Sequence, residues 1–362
     1  MKILKRTLLI LLTVVLLLLI AIFGAMTVLC KGPSKAAANR FVNTVMETSA
    51  LKFIPSIYFS QEKIDEMLAA GKARVPSAQT DVNLINIPKK KAENTENNSA
   101  PDTEDASSEE GEVSQNTAEA ASDGGQTDEN TTEGSKDGIL IEELRSETYR
   151  GRMMIVEDPS RVYIRMLSGF SETGAGKKVI DMANEDGAVA AMNAGGFYDP
   201  DGHGKGGMPL GAVIKDGVLV SNHPADYHTI IGFDAEHRLI VGDMSPQAAI
   251  DAGMMNGIAF GPALVINGER VPTGSGGGVN PRSAIGQRGD GAVLLLSIDG
   301  RQPTSLGATA SELEDIMLEY GAVNAANLDG GSSSVLYYEG ELISSPSSVV
   351  GIRPVPTAIL VK

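Results

Sequence analysis

The residues best suited to chemistry in this chain sit where apolar runs end. The run Ala188–Met192 gives way to Asn193, then Gly195 and Gly196, then Phe197-Tyr198. An asparagine side chain both donates and accepts, as sugar hydroxyls require. Glycines beside it let a ligand approach the backbone closely. The stretch Asn280-Pro281-Arg282-Ser283 opens another apolar run, and the planar guanidinium of Arg282 matches a phosphate in bidentate fashion. A further run ends in Asn327-Leu328-Asp329-Gly330-Gly331-Ser332. A carboxylate at such a rim can act as general base, nucleophile or stabiliser of an oxocarbenium ion, and the amides of Gly330 and Gly331 can form an anion nest. Asp299-Gly300-Arg301 closes the run Val293–Ile298 in the same style, and Phe260-Gly261-Pro262 reads as a bent strand entry. Taken singly, each segment is equally a plain turn or strand end. The histidines have no metal-ligand spacing, and G-x-S-x-G, H-E-x-x-H and P-loop patterns are absent. A divalent ion held by aspartates is compatible with the sequence, but no metal ligands are assigned.

Such residues need rigid supports, and from about Ile139 to Lys362 the pattern supplies them. Short apolar runs alternate with Asp216-Gly217, Asn267-Gly268, Asp290-Gly291 and Glu339-Gly340. Asn-Gly and Asp-Gly pairs suit type I′ hairpin turns, whose two central residues need φ > 0. One clear helix is expected over Ala310–Tyr320. Leu313, Ile316, Met317 and Tyr320 make its apolar face, Ser311 and Glu314 a capping box, and Gly321 its end. Weaker helices are expected near Lys178–Asn184 and Pro246–Met254. The fold class is α+β, with a mixed or antiparallel β-sheet and a few helices, preceded by a transmembrane helix and a disordered linker.

The organisation before that domain follows from composition. Lys2, Lys5 and Arg6 precede an uncharged apolar run, Leu8–Cys30. At about 1.5 Å per residue the run crosses a hydrocarbon core of about 30 Å, and the leading bases favour a cytoplasmic amino terminus. Residues 1–31 therefore read as a cytoplasmic tip and signal-anchor, with a cleaved signal peptide or a lipoprotein anchor at Cys30 as alternatives. All three place the remainder outside the cytoplasm. Residues 32–84 read as a helical membrane-proximal stalk, with a packing role against the folded domain as the other possibility. Residues 85–137 read as an acidic disordered linker, and 138–362 as the folded domain. Of the net charge of −16, residues 92–137 supply −13, from fourteen Asp or Glu and one Lys. The acidity thus belongs to the linker and says little about the domain's partner. No basic stripe points to nucleic acid. The only cysteine is Cys30, so the exported part forms no disulfide, which suits a bacterial cell surface better than an animal secretory lumen.

In order, Asn193-Ala194-Gly195-Gly196-Phe197, Phe260-Gly261-Pro262, Arg282-Ser283-Ala284-Ile285-Gly286, Ile298-Asp299-Gly300-Arg301, Asn327-Leu328-Asp329-Gly330-Gly331-Ser332 and Arg353-Pro354-Val355 resemble the phosphodiester glycosidase family over about Ala188–Val361. The resemblance implies a hydrolase that releases a sugar from a sugar-1-phosphodiester; joined to the anchor, the expectation is a membrane-anchored extracytoplasmic enzyme acting on a surface glycan or glycopolymer. Animal members of the family act on N-acetylglucosamine phosphodiesters, and bacterial members are linked to exopolysaccharide. It implies catalytic roles for Asp329, Asp299, Arg282 and Asn193, and substrate contacts from Gly195, Gly196, Gly330, Gly331, Ser332 and Arg353. Arg282 would take the phosphate, and either Asp329 or Asp299 would act as base or oxocarbenium stabiliser. No cofactor is required. The alternatives are a non-catalytic module that binds phosphate-containing cell-wall or exopolysaccharide polymers, and a phosphodiesterase that cuts P–O instead of C–O.

Overall fold

The computed structural model describes residues 2–48, 51–71, 79–88, 132–225, 229–273, 277–348 and 351–362. Helix α1 (Lys2–Lys31) contains the apolar run and is long and apolar enough to cross a membrane. Helices α2 (Lys35–Met46), α3 (Pro55–Tyr58) and α4 (Gln61–Gly71) follow. Ala38 and Val42 of α2 pack on Ile64 and Met67 of α4. Most of the expected linker lies outside the described residues.

The domain is built from β1 (Thr132–Lys136), β2 (Ile139–Arg145), β3 (Arg150–Val156), β4 (Val162–Met166), α5 (Val179–Asp186), β5 (Ala190–Asn193), β6 (Gly211–Lys215) and β7 (Val218–His223). It continues with β8 (Thr229–Phe233), β9 (Leu239–Asp243), α6 (Pro246–Asp251), β10 (Asn256–Phe260), β11 (Ala263–Ile266), β12 (Glu269–Arg270), β13 (Arg282–Arg288) and β14 (Val293–Ile298). Helix α7 (Ala310–Glu319), β15 (Ala322–Leu328), β16 (Leu336–Tyr338), β17 (Glu341–Leu342) and β18 (Thr357–Val361) complete it. They form one eight-stranded sheet, β1-β2-β3-β14-β13-β15-β11-β12, and two five-stranded sheets, β7-β6-β10-β8-β9 and β17-β16-β5-β18-β4. The pairings of all three are antiparallel, as in β13 against β14 and β15.

The β14 run Val-Leu-Leu-Leu-Ser-Ile shows no alternation and is buried throughout, because both its faces are covered. On one face Leu294 and Leu296 meet Leu313, Ile316 and Met317 of α7. On the other, Leu295, Ile285 and Leu328 face Met192, Ile231, Val241 and Ile359 of the smaller sheets. Helix α5 covers the outer side of β5 and β18, and α6 that of β6 and β8.

The turns behave as their residue pairs require in three of four cases. Asp216-Gly217, Asn267-Gly268 and Glu339-Gly340 all lie at positive φ at both positions. At Asp290-Gly291 only Gly291 does, at 94°, so this connection is not a type I′ turn. Asp137-Gly138 turns β1 back onto β2, so paired strand precedes residue 138. Two earlier residues also touch the sheets: the Thr80 hydroxyl, from the segment expected as a stalk, donates to the Val241 carbonyl at 2.5 Å, and the Asn86 backbone amide, from the segment expected as a linker, donates to the Gly289 carbonyl at 2.8 Å. The α7 capping box lies two residues earlier than expected, on Thr309 and Glu312. Glu314 instead turns inward, where its Oε2 accepts from Arg270 Nη1 at 3.0 Å.

Candidate active site

The end of β15 and the end of β5 meet where the eight-stranded sheet faces a smaller one. The Asp329 amide donates to the Ala194 carbonyl at 3.0 Å, and Asn193 Nδ2 donates to the Asp329 carbonyl at 2.5 Å. Asn193 Oδ1 accepts from Ser283 Oγ at 2.9 Å and from the Val335 amide at 3.0 Å. Asn193 is fully buried, with Nδ2 and Oδ1 both bonded within the protein. It clamps the backbone of Asp329 and stands behind the cavity lining, not in it, where a sugar contact was expected of it.

Beyond this clamp lies a cavity of about 210 Å³, lined by Glu47, Gly196, Phe197, Asp199, Leu210, Phe260, Arg301, Asp329, Gly330, Gly331, Ser332, Ser333 and Arg353. Burial pushes the Asp329 carboxyl up to about 6, against the downward pull of Ser333, Arg353 and the Gly330 amide. That amide donates to Oδ1 at 3.0 Å. The glycines are needed for shape. A Cβ on Gly330 would lie 2.8 Å from the Pro281 carbonyl oxygen, and Gly331 stands at φ +62°.

Two arginines reach the cavity. Arg353 Nη1 pairs with Asp199 Oδ2 at 2.8 Å, and its guanidinium lies 4.7 Å from the centre of the Phe197 ring. Burial pushes the Asp199 carboxyl up, but hydrogen bonds from Arg353 and from the Gly204 amide outweigh it and hold the group below its ordinary value. Arg301 Nη2 donates to Asn280 Oδ1 at 3.0 Å, and among the described residues it has no ion pair.

Of the expected site residues, Asp329, Gly196, Gly330, Gly331, Ser332 and Arg353 line the cavity together. Arg282 lies outside that lining. Its Nε donates to the Ala308 carbonyl at 3.2 Å, and its Nη2 to the Gly278 carbonyl at 2.7 Å and to Glu47 at 2.9 Å. Asp299 lies outside it too. Its Oδ1 accepts the Ser345 amide at 2.7 Å, and burial raises its carboxyl. Gly195 packs behind, its amide on Thr357 Oγ1 at 3.2 Å. Phe197 and Arg301 join the site from segments quoted above but given no role there, and Asp199 from the loop that follows Tyr198. Glu47 joins from the end of α2, where local sequence carries no signal of it. A larger cavity of about 690 Å³ beside β6, β7 and α6 presents His223 and Asp243, but these are engaged by Glu172 and Thr229. Among the described residues no cluster of His, Cys, Asp or Glu is placed to hold a metal ion.

The family model described as phosphodiester glycosidase matches residues 186–362. An SPbeta prophage-derived uncharacterized protein of Bacillus subtilis, YomE, is 34% identical over 191 residues, covering 50% of this chain and 29% of its own length. Mouse N-acetylglucosamine-1-phosphodiester alpha-N-acetylglucosaminidase is 28% identical over 222 residues, covering 54% of this chain and 41% of its own. The chain thus spans less than half the length of either relative. A hypothetical protein from Synechocystis shares the fold, with a TM-score of 0.51 at 19% identity over 65% of this chain and 64% of that one.

Proposed function

We propose, from the premise that residues 186–362 are a phosphodiester glycosidase domain, that this protein hydrolyses the glycosidic C–O bond of a sugar-1-phosphodiester. One observation carries the reading. A single small cavity holds a carboxyl group at about 6, a glycine turn and Arg301, which among the described residues makes no ion pair.

In the reaction, water adds across the bond between the anomeric carbon and the bridging oxygen. The electron pair of that bond leaves with the phosphate monoester, which is stable as an anion and needs little protonation. Above pH 6 Asp329 is ionised. It stabilises positive charge at the anomeric carbon, by contact or by accepting the proton of the attacking water. Arg301 holds the departing phosphate, and Ser332 of the turn adds a hydroxyl donor; the Gly330 and Gly331 amides are spent on Asp329 Oδ1 and the Pro281 carbonyl instead of forming the anion nest expected of them. Helix α1 anchors the chain, with Lys2, Lys5 and Arg6 on the cytoplasmic side and the domain outside, facing phosphate-linked glycans of a bacterial surface.

The test is release of sugar from UDP-N-acetylglucosamine and simple sugar-1-phosphodiesters by the full chain in detergent. Reaction in ¹⁸O-labelled water should place the label in the sugar. Label in the phosphate would mean P–O cleavage. Polymer binding without turnover would mean a binding module.

A further inference from the structure

Glu47 follows α2, far along the chain from the catalytic strands, yet its carboxylate borders the cavity. Its Oε1 accepts the Gly278 amide at 2.9 Å, and its Oε2 accepts Asn280 Nδ2 at 2.6 Å and Arg282 Nη2 at 2.9 Å. A primary amide has one donor end and one acceptor end. Holding Nδ2 of Asn280 against Glu47 therefore aims its Oδ1 the other way, where it accepts Arg301 Nη2 at 3.0 Å. Arg301 needs such a hold. Its φ of +56° is unusual for a residue with a side chain. Its guanidinium also rests against Gly331, both Nη atoms being 3.3 Å from where a Cβ would stand.

Of the cations at the cavity, Arg353 is paired with Asp199, and Arg282 behind it with Glu47, whereas Arg301 feels the Glu47 carboxylate without an ion pair to it and is the one placed to meet an anion there. The loop is shaped for this contact. A Cβ on Gly278 would lie 2.3 Å from Thr44 Cα, and the Val279 amide donates to Thr44 Oγ1 at 3.0 Å. The loop therefore lies flat on α2 at the turn that carries Glu47.

We propose that Glu47 is a positioning residue: through Asn280 it fixes the guanidinium of Arg301, so that the membrane-proximal helix completes the phosphate end of the site. The proposal rests on the reading of Arg301 as the phosphate ligand.

The test uses the full chain in detergent and calorimetric binding of N-acetylglucosamine 1-phosphate, with turnover measured alongside. Glu47→Ala and Asn280→Ala should each weaken binding about tenfold. The double variant should be no weaker than either, because both break the same relay. Glu47→Gln keeps an oxygen that can accept from Asn280 and should restore part of the loss; it also serves if Glu47→Ala does not fold. Thr44→Ala removes a contact between α2 and the loop outside the relay and should leave binding within twofold. Unchanged or tighter binding in Glu47→Ala, additive losses in the double variant, an equal loss in Thr44→Ala, or no binding by the wild type would each overturn the proposal. Binding with the predicted losses but without sugar release would uphold the relay and sink the glycosidase reading.

Discussion

Replacing Asp329 with asparagine should abolish turnover and yet stabilise the fold at neutral pH. Its carboxyl stands at about 6 in the folded protein against an ordinary 3.8, with burial the main cause. The folded state therefore binds the proton more tightly than the unfolded chain does. Below pH 3.8 both states are protonated and the group is neutral for stability. As pH rises from 3.8 through 6, the unfolded chain ionises first and stability falls. At 1.36 kcal/mol per pH unit the full loss is about 3 kcal/mol. An asparagine carries no charge, so it escapes this loss. It also gives up one acceptor for the Gly330 amide or for Ser333, which costs about 1 kcal/mol. Asp329→Asn should thus be about 2 kcal/mol more stable than the wild type at pH 8. The advantage should disappear, or reverse by about 1 kcal/mol, at pH 3.5. Urea unfolding of both proteins at the two pH values measures the difference, and other titrating groups cancel in the comparison. An asparagine variant that is less stable than the wild type at pH 8 would refute the claim that Asp329 is a buried, destabilising charge.

Four further outcomes follow from the structure. If Asp329 works in its ionised form, kcat/KM should rise with pH along a limb centred near 6, and a falling limb there would reassign it as an acid. Arg301→Ala should raise KM for a sugar-1-phosphodiester by one to two orders of magnitude with little change in Tm, as expected for a charge-assisted contact (about 1.5–3 kcal/mol). Arg282→Ala should instead lower stability by about 2–3 kcal/mol, because it leaves Glu47 and two carbonyls short of a partner; thermal melts with steady-state kinetics separate the two. Thr309→Ala should cost about 1 kcal/mol and Ser311→Ala less than about 0.5 in urea titrations, since the cap rests on Thr309.

Much of this was legible in the chain, for local reasons. Asp-Gly and Asn-Gly pairs mark hairpins because positive φ is a property of a few residues. Asp329 stood out because a carboxylate and two glycines end a run of strand-forming residues. The α7 cap was misplaced because Thr309-x-x-Glu312 and Ser311-x-x-Glu314 satisfy the same pattern, and only packing decides between them. Glu314 is drawn inside by Arg270 on β12. Arg282 drew the phosphate assignment because a guanidinium at a strand start looks free. The carbonyls of Ala308 and Gly278 that occupy it are fixed by tertiary structure, as is Glu47, 235 residues away. Asn193 is placed in the same way: its side chain bonds the Asp329 carbonyl, the Val335 amide and the Ser283 hydroxyl, partners that only the tertiary structure brings to it.

A carboxylate that opposes folding survives at Asp329 because its backbone is held from both sides. Its amide is tied to Ala194 and its carbonyl to Asn193, while the next turn is tied by Gly331 to the Pro281 carbonyl at 2.9 Å. Those anchors lie on β5, which belongs to a smaller sheet, and on the segment entering β13 of the eight-stranded sheet. The side chain opens only onto the cavity, and its backbone cannot move away unless the two sheets part, which their shared apolar core resists. The misplaced charge is thus tolerated by the fold as a whole, and the same clamp points it at one small cavity. Asn193→Ala should therefore impair function without touching a ligand. It leaves the buried Val335 amide and Ser283 hydroxyl unpaired, a loss of about 2–4 kcal/mol in stability. By freeing the turn it should also bring the Asp329 pH limb down from 6 toward ordinary carboxylate values. A variant that keeps the limb at 6 while losing that stability would show that burial at Asp329 does not depend on the clamp.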